Sequence, residues 1–215
     1  MYVGEAQLLQ LEHAVDLDVR EVARRFEVIG TLYDVAEALQ EPAVNLRDVV
    51  QLVHGVGARV QALRDALAHH VTYRLLHRLD FGTSGILVFG FTKVAQQLFN
   101  QADKFYLCMI KGHLASQGRI KLYLKEKQRK MQAVRSGGKV AITEFSTLCE
   151  TLEHSLLKAQ LITGRRHQIR VSLAENKCPI IGDSLYGGKC YERLMLHAAV
   201  ISLKGREIFS PVPNL

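Results

Sequence analysis

His77-Arg78-Leu79-Asp80-Phe81-Gly82-Thr83-Ser84-Gly85 runs straight into Ile86, Leu87, Val88 and Phe89. The first nine residues hold a carboxylate, a guanidinium, an imidazole, two hydroxyls and two glycines. Gly82 and Gly85 relieve the backbone of side-chain sterics, so a tight turn is expected there. The apolar run after it predicts a buried central strand over residues 86–91. A carboxylate held on a tight turn beside a buried strand suits a nucleophile or a base. The same pattern also suits an Asp that merely caps the turn, with Thr83 and Ser84 bonding to nearby backbone.

The rest of the chain decides the fold class. Before residue 70, short apolar stripes such as Val15, Val19, Val22 and Phe26 recur at helical spacing, so 1–70 reads as a mostly helical N-terminal part. From 71 to 215 it continues, as one domain, into a strand-rich core. Thr92 is placed to cap a short helix through Val94, Ala95 and Leu98. Residues 104–110 read as a strand with Tyr106 at its start. The Lys- and Arg-rich stretch 117–139 reads as a solvated hairpin and a mobile loop. Residues 140–152 and 155–162 read as paired strands with a turn near Glu153 and His154. A helix is expected over 166–175, with Ile169 and Leu173 inward and positions 166 and 170 on one face. Residues 179–181 start another extended piece, and 194–203 form a long apolar strand. Strands outnumber helices after residue 85 without regular β-α alternation, which argues for an α+β fold on a largely antiparallel sheet.

The 215 residues are 48% hydrophobic and carry a formal net charge of +7. That is ample material for a core, and a basic balance favours a polyanionic partner. No apolar run has the length of a membrane helix, so no membrane is expected. Cys108, Cys149, Cys178 and Cys190 lack metal-binding spacing, and no metal site or disulfide framework is expected. There is no dinucleotide fingerprint and no phosphate-binding loop, so no small-molecule cofactor is expected. No charged segment precedes an apolar one at the start, which leaves cytoplasmic, nuclear and mitochondrial locations open.

Five blocks then combine. His77 to Gly85 is followed by Lys104-Phe105-Tyr106, by Thr163-Gly164-Arg165-Arg166-His167-Gln168-Ile169-Arg170-Val171-Ser172, by Pro179 to Gly187, and by Leu196-His197-Ala198. In this order they resemble the RluA-type pseudouridine synthase family, from about residue 75 onward. The resemblance implies a pseudouridine synthase catalytic domain: a mixed, largely antiparallel sheet flanked by helices, with a central RNA-binding cleft. It implies an isomerase that converts specific uridines of ribosomal or transfer RNA to pseudouridine without a cofactor, acting as a monomer. Asp80 would be the catalytic carboxylate, Tyr106 the active-site tyrosine, and Arg170 the cation that keeps the acid charged. Arg78 would fill the stack vacated by a flipped base; Arg165, Arg166 and His167, at a turn into a helix, are placed to bind RNA phosphate together with the helix N-terminus.

The chain departs from the family pattern in several places. The family's opening asparagine-lysine-proline-x-glycine turn and a small S4 RNA-binding domain are not seen. Position 166 is Arg where Thr is usual, and position 172 is Ser where His is usual. The stretch 99–104 is shorter than usual, either a trimmed loop or residues missing from the chain. Three routes stay open for Asp80: attack on C1′, addition to C6 of the uracil, or removal of a ribose proton. The alternative function is a non-enzymatic RNA-binding or ribosome-assembly protein on the same scaffold. A glycosidase-like hydrolase would need a second carboxylic acid, which the blocks do not supply.

Overall fold

Residues 74–90, 93–128, 130–210 and 212 are described in the structure, a computed structural model. The helical reading of residues 1–70 and the Thr92 cap lie outside them. In chain order the elements are β1 (Arg74–Leu75), β2 (Ser84–Gly85), β3 (Phe89–Gly90), α1 (Lys93–Phe99), β4 (Asp103–Lys111), β5 (Gln117–Lys127), β6 (Lys130–Ala133), β7 (Lys139–Glu150), β8 (His154–Leu161), α2 (Gln168–Glu175), β9 (Leu196–Leu203) and β10 (Arg206–Phe209). The main sheet runs β10-β9-β4-β8-β7-β5-β6, and every pair along it is antiparallel. β2 joins it by pairing with β9 in parallel, while β1 and β3 form a separate antiparallel pair. This is the α+β, largely antiparallel arrangement expected.

Alternation along the strands explains where the core sits. β4 buries Tyr106, Cys108 and Ile110 on one face. Leu157 and Ala159 of β8, Leu196 and Ala198 of β9, and Ile169 and Leu173 of α2 join them in one cluster. α2 therefore lies over the sheet face that carries Tyr106. Where β4 pairs with β9 its register slips between Phe105 and Tyr106. Such an irregularity re-aims the side chain that follows it.

Three expectations need correction. Ile86, Leu87 and Val88 are buried as expected, but they do not form a central strand. The Ile86 amide donates to the Ala198 carbonyl, the Val88 amide donates to His77 Nε2, and the Leu76 amide donates to the Val88 carbonyl. The segment thus passes from β9 to the small sheet, with side-chain and loop partners taking the amides a ladder would use. The stretch 117–139 holds the expected hairpin, β5 paired with β6, but its strands are longer and partly buried rather than solvated throughout. Ile120 and Leu124 are buried in β5 while Arg119, Lys121 and Lys125 face water, so the basic residues are one face of a strand. Finally, α2 begins at Gln168, because His167 takes a left-handed conformation (φ 51°). Arg166 is outside the helix and shares no helical face with Arg170.

The short 99–104 stretch closes tightly. Amides of Asn100, Gln101 and Ala102 donate to carbonyls of Gln96, Leu98 and Phe99, and β4 follows directly. Gly85 is the other tight point: a Cβ there would lie 2.2 Å from the Ala198 carbonyl oxygen, at φ +109°. Only glycine lets the His77–Gly85 block lie against β9 this closely. Among the described residues no helix is long and apolar enough to cross a membrane.

Candidate active site

The turn that carries Asp80 is built by its backbone. The Asp80 carbonyl accepts the Thr83 amide at 3.0 Å, and Gly82 supplies the left-handed position (φ +86°). Behind the turn, the Ser84 hydroxyl donates to His197 Nδ1 at 2.9 Å, and His197 Nε2 donates to the Ser210 carbonyl at 3.2 Å. The block is therefore pinned to β9 by side chains as well as by the β2 pairing. The Asp80 carboxylate is left free of the turn, at the wall of a cleft of about 500 Å³. Tyr106, His167, Arg78, Arg165 and Arg166 line the same cleft.

Arg170 lies 3.8 Å from Asp80, between its Nη1 and Oδ2. Its shorter bonds go elsewhere. Nε donates to Asp183 Oδ2 at 2.8 Å and Nη2 donates to Asp183 Oδ1 at 2.7 Å. Asp183 also accepts the amides of Leu185 and Tyr186. Burial works against the Arg170 charge, but the bonds and charge of Asp183, then the charge of Asp80, outweigh it and raise its pKa. Arg170 is thus held by one carboxylate while it faces a second.

His167 is buried between Asp80 and Tyr186. Its Nδ1 is 2.8 Å from the Tyr186 hydroxyl and its Nε2 is 3.9 Å from Asp80 Oδ1. The Tyr186 oxygen accepts the Met131 amide at 3.2 Å, so its own proton is available for His167 Nδ1. With the phenol donating, the imidazole proton sits on Nε2, facing Asp80. Burial holds the His167 pKa below its ordinary value; Asp80 and Asp183 oppose that, and Arg170 and Arg166 reinforce it. Burial thus disfavours a charged imidazole beside Asp80.

Tyr106 is buried under the cleft, and burial, with the Asp80 charge second, keeps its phenol protonated well beyond the usual range. Arg165 lies at the turn into α2, bonded through Nε to the Val140 carbonyl at 2.9 Å, and Arg166 pairs with Glu126. Arg78 is exposed two residues before Asp80. The structure thus brings Asp80, Tyr106, Arg170 and His167 together, with the three arginines on the cleft wall. Among the described residues no group of three or more His, Cys, Asp or Glu could hold a metal ion.

Two participants were not singled out from the sequence. Tyr186 sits in the Pro179–Gly187 block as the partner of His167, and Lys130 and Arg170 both lie over its ring, at 4.6 and 5.1 Å. His77 accepts the Val88 amide through Nε2 at 3.1 Å, and its ring lies 5.1 Å from that of Phe99. Burial, and then the Lys104 charge, push the His77 imidazole down to about 4. The signal for Tyr186 was its place in a motif block beside Asp183; for His77 it was the block's first letter.

A family model described as RNA pseudouridylate synthase matches residues 49–175. The ribosomal large subunit pseudouridine synthase D of Xanthomonas campestris is 37% identical over 122 residues, which cover 53% of this chain and 37% of that protein. An uncharacterized RNA pseudouridine synthase of Helicobacter pylori is 32% identical over 161 residues, covering 70% of this chain and 66% of that protein. The chain thus spans between about a third and two thirds of the length of these relatives. The solved structure of human RNA Pseudouridylate Synthase Domain Containing 4 is similar with a TM-score of 0.60 at 25% identity, over 83% of this chain and 91% of that one. Human RNA Pseudouridylate Synthase Domain Containing 1 shares the fold, with a TM-score of 0.62 at 24% identity over 78% of this chain and 80% of that one.

Proposed function

Because this chain belongs to the RNA pseudouridylate synthase family, we propose that it isomerises uridines of structured ribosomal or transfer RNA to pseudouridine, with Asp80 as the reacting carboxylate. The observation that carries this reading is the convergence on Asp80. Arg170 and His167 approach it at 3.8 and 3.9 Å, and the same cleft is lined by Tyr106 from β4. Residues 71–215 would form the catalytic unit, acting as a monomer.

The reaction breaks the N1–C1′ bond, turns the base and joins C5 to C1′, after which the C5 proton leaves and N1 carries a proton in its place. No electrons are gained or lost overall. An ionised carboxylate can attack C1′, add to C6 or take a ribose proton. Arg170 stabilises negative charge at Asp80 in each route, and His167 Nε2 faces one carboxylate oxygen from 3.9 Å. Tyr106 offers a protonated phenol and a flat ring at the cleft, suited to a base drawn out of its stack. Arg78, Arg165 and Arg166 supply cations for the backbone of the RNA.

The test is direct. The full chain is incubated with uridine-labelled ribosomal and transfer RNA, and the digested nucleosides are separated. Pseudouridine made by the wild type and not by Asp80→Asn is the expected result. RNA bound but never converted, under conditions where the chain is folded, would favour a binding or assembly protein instead.

A further inference from the structure

The turn that delivers Asp80 carries a residue with no part in this scheme. Phe81 follows the carboxylate directly, and it is 88% exposed. Its neighbours go inward: Leu79 packs against the main core, and Thr83 and Ser84 are buried. The Asp80–Thr83 hydrogen bond and the left-handed Gly82 hold the turn, so Phe81 is presented on a constrained backbone.

Exposure alone would mean little. Leu152 is just as exposed at the β7–β8 turn, and single apolar residues are common on surfaces. The position of Phe81 is what distinguishes it. It follows the reacting carboxylate in a turn whose Asp80 and Thr83 line a cleft together with Arg78, Lys104, Arg165 and Arg166, where an RNA strand is drawn by charge. A uridine that enters this cleft must leave its stack, and its neighbour in the strand then loses a stacking partner. A bare aromatic ring replaces that partner without reading base identity, because every base has a flat face and Phe has no hydrogen-bonding group.

We propose that Phe81 is a stacking post for the unpaired RNA base next to the reacting uridine. This rests on the isomerase reading above. It assigns the protein to uridines in loops or other splayed strands, where the adjoining base is free to swing onto the ring.

The chain contains no tryptophan, so Phe81→Trp installs a single reporter at the post. The probe is whichever ribosomal or transfer RNA the wild type converts, with affinity measured separately by filter binding. In the free protein the Trp emission should be that of an exposed indole open to acrylamide. On adding RNA it should be strongly quenched and shielded. Phe81→Trp and Phe81→Tyr should keep wild-type affinity, whereas Phe81→Leu, apolar but not flat, should lose about ten- to a hundredfold, as should Phe81→Ala. Shielded emission in the free protein would overturn the proposal, since the chain itself would then cover the ring. Unchanged emission with RNA bound, or a Leu variant equal to wild type, would also overturn it and leave the isomerase reading standing. A wild type that converts no RNA would overturn both.

Discussion

Arg170 forks onto Asp183, with Nε 2.8 Å from Oδ2 and Nη2 2.7 Å from Oδ1, while Asp80 stands 3.8 Å away. The side chain of Asp183 is fully buried. Arg170→Met would strand that carboxylate. It should destabilise the protein by about 3–5 kcal/mol at neutral pH, the usual cost of breaking a buried pair. Arg170→Met combined with Asp183→Leu should recover much of the loss while turnover stays low. Urea unfolding of the two variants checks this. A single Met variant as stable as the wild type, yet inactive, would assign the arginine to Asp80 or to RNA rather than to Asp183.

Asp80 should behave in the opposite way. Its backbone, not its carboxylate, closes the turn, and its side chain is 14% exposed. Asp80→Asn should therefore change stability by less than about 1 kcal/mol. It should leave RNA affinity close to wild type and reduce turnover by about a thousandfold or more. Single-turnover conversion beside thermal unfolding separates the two effects.

Tyr186 lets the imidazole be tested without touching it. Tyr186→Phe removes the hydroxyl that faces His167 Nδ1, so the ring is free to carry its proton on that side and lose the Nε2–H aimed at Asp80. Turnover should fall about tenfold, with RNA affinity nearly unchanged. Replacing His167 in that background should then cost much less than it does alone. Two losses that multiply would mean the residues act independently.

Acid stability follows from His77. Its folded pKa, about 4, lies below the ordinary value near 6.5, because burial disfavours the charged ring. The unfolded chain therefore binds the proton first on acidification. The neutral ring's contribution is complete above about pH 6.5 and is lost as pH falls toward the folded value. His77→Gln keeps an acceptor for the Val88 amide and cannot take up the proton. Between pH 7 and pH 5 the wild type should lose up to about 2 kcal/mol more stability than this variant. Parallel losses in denaturant titrations at the two pH values would remove His77 from the acid response.

What was legible follows from the physics of each signal. The antiparallel sheet could be read because β4, β7, β8 and β9 pair in sequences dense with strand formers. The β5–β6 hairpin was legible, but its buried side was not, because its outward face is lysine and arginine, which composition counts and only alternation separates from Ile120 and Leu124. The helix start slipped because a left-handed conformation is ordinarily signalled by Gly or Asn, and here His167 adopts it. The members of the site were visible as motif letters, but their pairing was not. Nothing in a linear pattern says that an arginine thirteen residues upstream of Asp183 will choose it over Asp80.

The parallel seam between β2 and β9 has a consequence for biogenesis. Ser84 and His197 meet across 113 residues of chain. The hairpins β5–β6 and β7–β8 close over short loops and can form early, whereas a contact this distant carries a larger closure entropy and belongs late in folding. While synthesis proceeds, the segment bearing Asp80 has no strand to dock on until β9 has left the ribosome. The Asp80 carboxylate is thus made early and docked late, so a partly made chain would carry it without its cleft.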